Sequence, residues 1–359
     1  MKRLFSITLF ALLTWPAWSQ QKTENVILIT FDGLRWQELF TGAEQRLISK
    51  DFLSDSARLS QTFWRPDPVQ RREILFPFFW SVIAKEGQLY GNRTARNFVN
   101  VSNNQWFSYP GYSELLCGFA DNERIHSNDK FDNPNTTVLE FINNQPGFKG
   151  KVAAFSSWDV FPYIINSNRS GVPVNAGIVE KKNPNEKEKW INEVMHQVPN
   201  PLGDIRLDAF TYHYAFEHLK RERPRVLYVA FDETDDFAHG GKYDLYLHAA
   251  RYTDSFIRNL WNWCQQDPQY KGKTTLIITT DHGRGTEQKD AWRHHGSKVP
   301  HADEIWLAVM GPDTPALGEV KSEGQLYQNQ VAQTLAGFLG LKYQTNQTPG
   351  AKVASVFKK

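Results

Sequence analysis

Three apolar runs dominate the pattern of this chain: Asn25-Val26-Ile27-Leu28-Ile29-Thr30-Phe31, Arg225-Val226-Leu227-Tyr228-Val229-Ala230-Phe231 and Thr274-Thr275-Leu276-Ile277-Ile278-Thr279-Thr280. Each is short, rich in β-branched residues and bounded by Gly, Asp or polar clusters, so each predicts a strand buried on both faces of a mostly parallel sheet. Lys151-Val152-Ala153-Ala154-Phe155-Ser156 and Glu304-Ile305-Trp306-Leu307-Ala308-Val309-Met310 predict two more strands. Helical periodicity is clearest over Leu245–Cys264 and Gln328–Leu339, the latter stopped by Gly340. Strands alternating with helices predict an α/β fold, a doubly wound and mostly parallel sheet sandwiched by helices. The alternation breaks down in a polar, aromatic stretch from about Leu34 to Phe107, in which Arg71–Trp80 opens or precedes a helix through Ala84. Residues from about 43 to 105 are therefore expected to form an inserted cap or wall segment beside the site.

The first residues follow another pattern: Lys2 and Arg3, an apolar stretch from Leu4 to Leu13, then Ala17-Trp18-Ser19. This layout predicts a signal peptide over residues 1–19, too short to span a bilayer, and hence a periplasmic or secreted protein. Residues 20–359 are expected to form one catalytic domain. No cysteine stands directly after the apolar stretch, and no later run approaches eighteen apolar residues, so no stable membrane anchor is expected. The formal net charge is +2 with both signs interspersed, which disfavours a nucleic acid polymer or an anionic membrane as partner. Cys117 and Cys264 are the two cysteines; an oxidising compartment permits a disulfide between them, and two buried free thiols fit equally well.

Chemistry gathers where the three strands end. Asp32 follows the first, Asp235 and His239 follow the second, and Asp281-His282-Gly283 follow the third. Ligands of open α/β sheets bind beyond the carboxyl ends of the strands, so these groups would converge. Asp235 and His239 lie four residues apart and can share one ion if the segment is helical. Such a pair also occurs on solvated surfaces, and Asp232, Glu233 and Asp236 on the same turn read as capping and solvating residues, with Asp232 the substitute ligand for Asp235. Trp292-Arg293-His294-His295-Gly296 adds two imidazoles, of which one is expected to bind metal. Asp and His donors without thiolates suit Zn²⁺ best, admit Mn²⁺ or Fe, and disfavour Ca²⁺. Two ions can activate a nucleophile and hold a leaving oxygen, which implies displacement at phosphorus or sulfur.

In order, Phe31-Asp32-Gly33-Leu34-Arg35, Ser108-Tyr109-Pro110, Asn128, Asp235-x-x-x-His239, Asp281-His282-Gly283 and His295-Gly296 resemble the alkaline phosphatase superfamily, specifically its type I phosphodiesterase/nucleotide pyrophosphatase branch, from about Asn25 to Leu341. The resemblance implies Ser108 as the nucleophile, two residues before Pro110, with Ser113 the competing hydroxyl. It implies Asn128, within Ser127–Pro134, as the donor to a phosphate oxygen, whereas Asn133 and Asn135 fit a loop-holding role. It further implies two divalent ions, one held by Asp235, His239 and His295, the other by Asp32, Asp281 and His282 beside Ser108. His295 is preferred to His294 because it directly precedes Gly296 and lies sixteen residues before Gly311-Pro312.

The activity so implied is an exported hydrolase of small-molecule phosphate esters, working through a metal-activated Ser108 and a covalent phospho-enzyme. Some monoesterases of the superfamily carry a Lys-x-Arg pair after the middle strand; here the segment reads Phe155-Ser156-Ser157-Trp158-Asp159-Val160-Phe161, which favours a phosphodiester or pyrophosphate. Trp158 also suits the core, and Arg35 and Arg284 stand near ligand positions and could supply charge. A phosphomonoesterase on the same core is the alternative, and a sulfatase-like hydrolase lies further off because Tyr112 occupies the position of that family's Arg. A non-catalytic protein with an aromatic groove is a third reading, since the chain has 12 Trp and 24 Phe. The complete ligand set separates an enzyme from such a binder.

Overall fold

The computed structural model describes residues 21–52 and 55–358; the signal peptide read over 1–19 lies outside them. Eleven strands are found among these residues: β1 (Asn25–Phe31), β2 (Gly87–Tyr90), β3 (Asn97–Asn100), β4 (Val152–Ser156), β5 (Val174–Ala176), β6 (Val226–Phe231), β7 (Thr274–Thr280), β8 (Glu304–Ile305), β9 (Leu307–Met310), β10 (Gly318–Glu319) and β11 (Gly324–Tyr327). Eight form one sheet in the order β10-β2-β9-β7-β1-β6-β4-β5, and β11-β3-β8 form a small second sheet. From β7 to β5 the large sheet is parallel, while β9 runs antiparallel to both β7 and β2.

Every residue of β1, β6 and β7 is buried, as runs rich in apolar and β-branched residues predict. Side chains alternate between faces with period two: Ile27, Ile29 and Phe31 enter one core with Leu227, Val229 and Phe231, whereas Val26 and Leu28 enter the other with Val226 and Tyr228. Helices cover both faces. Register then fixes the site, because Phe31 stands level with Phe231 on one side and Thr280 on the other. Asp32, Asp232 and Asp281 consequently leave the sheet side by side.

The run Glu304–Met310, read as one strand, is split at Trp306 between the two sheets. The Trp306 side chain is fully buried, and its Nε1 donates to Leu34 O at 2.9 Å, which fixes the crossing point. The inserted segment after β1 is woven into the body of the protein: Leu59, Phe63, Leu75, Phe76 and Phe79 enter the first core, while β2 and β3 join the two sheets. The stretch Arg71–Trp80 closes one helical segment and leads into the next, which runs through Ala84. Pro68–Leu75 stops at a non-helical Phe76, and a wide turn over Phe79–Ile83 precedes Ala84–Glu86. Pro77 explains the break, since proline disfavours the helical conformation in the residue before it and supplies no amide hydrogen.

The amides of Phe78 and Phe79 at this new start donate to Asp254 Oδ2 and Oδ1, both at 3.0 Å. Asp254 is buried on the long helix Tyr243–Cys264. Asp254→Ala leaves two buried amides without acceptors and is expected to lower the unfolding free energy by about 2–3 kcal/mol, read as a lower urea midpoint; an unchanged midpoint would deny Asp254 this role. Cys117 and Cys264 are buried free thiols.

Candidate active site

Ser108 opens the helix Ser108–Cys117, which packs against the end of β7. Gly111 makes that approach possible, because a Cβ there would lie 2.4 Å from Asp281 O. Gly33, after Asp32, has φ +56°, and a Cβ would lie 2.8 Å from Asp235 Oδ1. Both glycines let ligand-bearing segments come together.

Asp32, Asp281 and His282 are fully buried around one point. Tyr112 Oη donates to Asp32 Oδ2 at 2.9 Å, and Gly33 N donates to Asp281 Oδ1 at 3.1 Å. His282 Nδ1 donates to Gly283 O at 2.9 Å. That bond turns Nε2 toward the acids. Nε2 lies 3.2 Å from Asp32 Oδ1, 3.4 Å from Asp281 Oδ2 and 3.5 Å from Ser108 Oγ.

The second cluster adjoins the first. Asp235 and His239 lie on the helix Glu233–His239, where the four-residue spacing brings Asp235 Oδ2 to 3.1 Å from His239 Nε2. His295 Nε2 lies 2.8 Å from His239 Nε2 and 3.6 Å from Asp235 Oδ1. His294 points instead to Asp290, at 3.4 Å. Asp232 is buried and belongs to neither ligand group, while Asp235 belongs to one.

The residues fit divalent ions. Asp32 Oδ1 and Asp281 Oδ2 are buried with no hydrogen-bond partner, an arrangement costly in a site meant to stay empty. Donor atoms of Asp32, Asp281 and His282, and of Asp235, His282 and His295, lie within 4.8 Å of one another in each group. The charges agree. Burial, and then Asp32, push the Asp281 carboxyl well above its usual range. Burial opposes charge on His282, but Asp281 and Asp32 overcome it and push the imidazole up to about 9. Burial and His282 keep His295 neutral, the form that binds metal. Burial would raise Asp235, yet Arg284 and then His295 hold it well below the ordinary carboxylate range. Concentrated negative charge faced by the Nε2 atoms of His282 and His295 makes a candidate cation site, at which His282 would give up its proton to a bound ion.

Ser108 is nearly buried. Ser113, the competing hydroxyl, faces away and accepts from Asn133 Nδ2 at 3.1 Å. Asn128 Oδ1 accepts from Tyr109 N at 2.9 Å, which pins the carboxamide at the head of the Ser108 helix while the residue stays exposed. Asn133 and Asn135 are buried loop holders, bonded to Ile164 O at 3.1 Å and Asp121 Oδ2 at 2.7 Å. Trp158 packs beside Tyr112 and Phe161. Arg35 is not a free cation, since its guanidinium is committed to Glu38 and Glu44. Arg284 reaches Asp235.

Two contributors escape a reading of motifs. Tyr112 holds Asp32 from eighty residues away. Glu114 is fully buried and accepts from Ser102 N, Asn103 N and Asn329 N at 2.8, 2.7 and 3.1 Å, fixing the segment that leads into the Ser108 helix. An acid inside the apolar run Tyr112-Ser113-Glu114-Leu115-Leu116 is the signal for it.

Three solved structures share the fold. Murine ectonucleotide pyrophosphatase/phosphodiesterase 5, as an inactive variant in complex with AMP, is 14% identical with a TM-score of 0.57, over 93% of this chain and 100% of that one. Wild-type alkaline phosphatase PafA is 11% identical with a TM-score of 0.58, over 94% and 99%. The lipoteichoic acid synthase LtaP from Listeria monocytogenes is 12% identical with a TM-score of 0.57, over 90% and 73%. No curated protein sequence matches the chain. The family described as type I phosphodiesterase/nucleotide pyrophosphatase matches residues 45–338. With most of its length matched, this chain belongs to the type I phosphodiesterase/nucleotide pyrophosphatase family and is a phosphoester hydrolase.

Proposed function

We propose that this chain hydrolyses phosphodiesters or pyrophosphates at a two-ion site, with Ser108 as the nucleophile. The observation that carries this reading is the position of Ser108 Oγ, at the head of its helix and 3.5 Å from His282 Nε2 at the meeting of both ligand groups. Asp32, Asp281 and His282 would hold one ion and Asp235, His239 and His295 the other, and the donor set suits Zn²⁺. When bound, such ions lower the pKa of a hydroxyl nucleophile and stabilise negative charge on a leaving oxygen.

Ser108 Oγ attacks phosphorus, the new Oγ–P bond forms and the bond from phosphorus to the leaving oxygen breaks. Water then attacks the phosphoserine, the Oγ–P bond breaks and the serine is regenerated. Asn128 Nδ2 donates to a nonbridging oxygen, its carboxamide already oriented by Tyr109 N. Asn128→Ala is expected to lower kcat/KM about 100-fold or more without change in metal content; full activity in this variant would remove Asn128 from the site.

A diester or pyrophosphate is favoured because Trp158 stands after β4 where a cation would be needed for the extra charge of a monoester. Lys130, nearby in sequence to Asn128, is paired with Asp159 at 2.5 Å. Export is part of the same reading, on the pattern of residues 1–19. Parallel rates on a phosphate monoester, a phosphodiester, a nucleotide pyrophosphate and a sulfate ester, with zinc supplied, test it. The diester or pyrophosphate is expected to react fastest; a faster monoester would reverse the preference.

A further inference from the structure

We propose that Arg284 is a positioning residue that holds the ligand-bearing segments of the site together and keeps Asp235 ready for the ion it shares with His239 and His295. The proposal rests on the reading of these residues as ligands. Arg284 lies two residues after His282 and is 1% exposed. Each edge of its guanidinium engages a different segment. Nε donates to Gly33 O at 3.2 Å, one residue past Asp32. Nη1 donates to Trp292 O at 3.4 Å, three residues before His295. Nη2 donates to Asp235 O at 3.1 Å and contacts the Asp235 carboxylate at Oδ1.

These four bonds join the ends of β1 and β7, the helix Glu233–His239 and the loop carrying His295. The ends of β1 and β7 are paired in the sheet. The loop of His295 is tied to them and to the helix by hydrogen bonds from Gly285 N to His294 O at 3.1 Å and from Arg293 Nη2 to His239 O at 3.1 Å, and among the described residues Arg284 is the side chain that reaches all three segments at once. A planar fork of five donors can span three segments at fixed angles, and a lysine ammonium cannot. The contact also orients the Asp235 carboxylate. Oδ1 meets Arg284 and also faces His295 Nε2 at 3.6 Å, while Oδ2 faces His239 Nε2 at 3.1 Å, so Arg284 fixes the rotation of the carboxylate between the two imidazoles. A buried guanidinium is costly without a partner, and the Asp235 carboxylate is the anion it contacts.

Outer groups that orient metal ligands are worth about 10–100-fold in affinity. Zinc titration of the full chain against a chromophoric chelator, with wild type, Arg284→Met and Arg284→Lys, tests the assignment. Arg284→Met is expected to bind one of two ions about 10–100-fold more weakly and to leave the other unchanged, with its circular dichroism preserved. Arg284→Lys keeps the charge without the fork and is expected to lose affinity at the same ion. Two ions bound as tightly as in wild type, by a folded Arg284→Met or by Arg284→Lys, would overturn the proposal; should Arg284→Met not fold, Arg284→Lys decides alone. Wild-type protein that binds two ions but cleaves no ester would remove the proposed function and leave this role standing. Active variants with unweakened binding would remove this role alone.

Discussion

Ser108→Ala is expected to reduce turnover of every ester substrate by at least about 1000-fold while the protein still binds two ions. The size follows from the absence of a replacement nucleophile. Ser113, the next hydroxyl on the same helix, is buried and bonded to Asn133. Metal content should hold because the acids and imidazoles Asp32, Asp281, His282, Asp235, His239 and His295 are untouched and supply three donors to each ion without Ser108. Some activity would survive if water attacked phosphorus directly in the site that remains. Turnover within tenfold of wild type would take the nucleophile role from Ser108, and loss of metal would make it a structural residue.

The second large effect concerns Asp281. Without an ion, burial and Asp32 make its charge unfavourable, and Oδ2 has no partner. Asp281→Asn keeps an oxygen for the Gly33 amide, now at 3.1 Å, and removes the charge. In chelator this variant is expected to be more stable than wild type, because folding no longer has to protonate a buried carboxyl whose charge burial and Asp32 disfavour. With zinc it is expected to bind one ion fewer and to lose at least about 1000-fold in kcat. The opposite signs separate a ligand from a structural acid: a structural acid replaced by Asn would lower stability in chelator and leave metal content alone.

The three central strands are legible because a strand buried on both faces needs a run free of charge and rich in apolar and β-branched residues, and β1, β6 and β7 have one. The split at Trp306 is hidden because the run stays apolar through it; only the reach of its indole to Leu34 marks the crossing. Pro77 marks the boundary between the helix ending at Leu75 and the helical turns through Ala84, and the aromatic run around it obscures where one ends and the other starts. Within the site, Asp235 and His239 are legible because helical spacing is local. His295 over His294 rested on the resemblance, and the structure turns His294 to Asp290. Tyr112 and Glu114 were opaque because their partners are distant in sequence. Arg35 shows the converse: nearness in sequence to Asp32 suggested a role at the site, yet Glu38 and Glu44, close along the chain, claim its charge.

The central claim is a two-step transfer through Ser108, and the stereochemical course at phosphorus tests it most directly. A single diastereomer of a phosphorothioate diester is hydrolysed by the zinc-loaded protein in isotopically labelled water, and the configuration of the product is read. Two successive in-line displacements, the first by Ser108 Oγ and the second by water, predict retention. Inversion would mean a single attack by water and would contradict the assignment of Ser108 as the nucleophile.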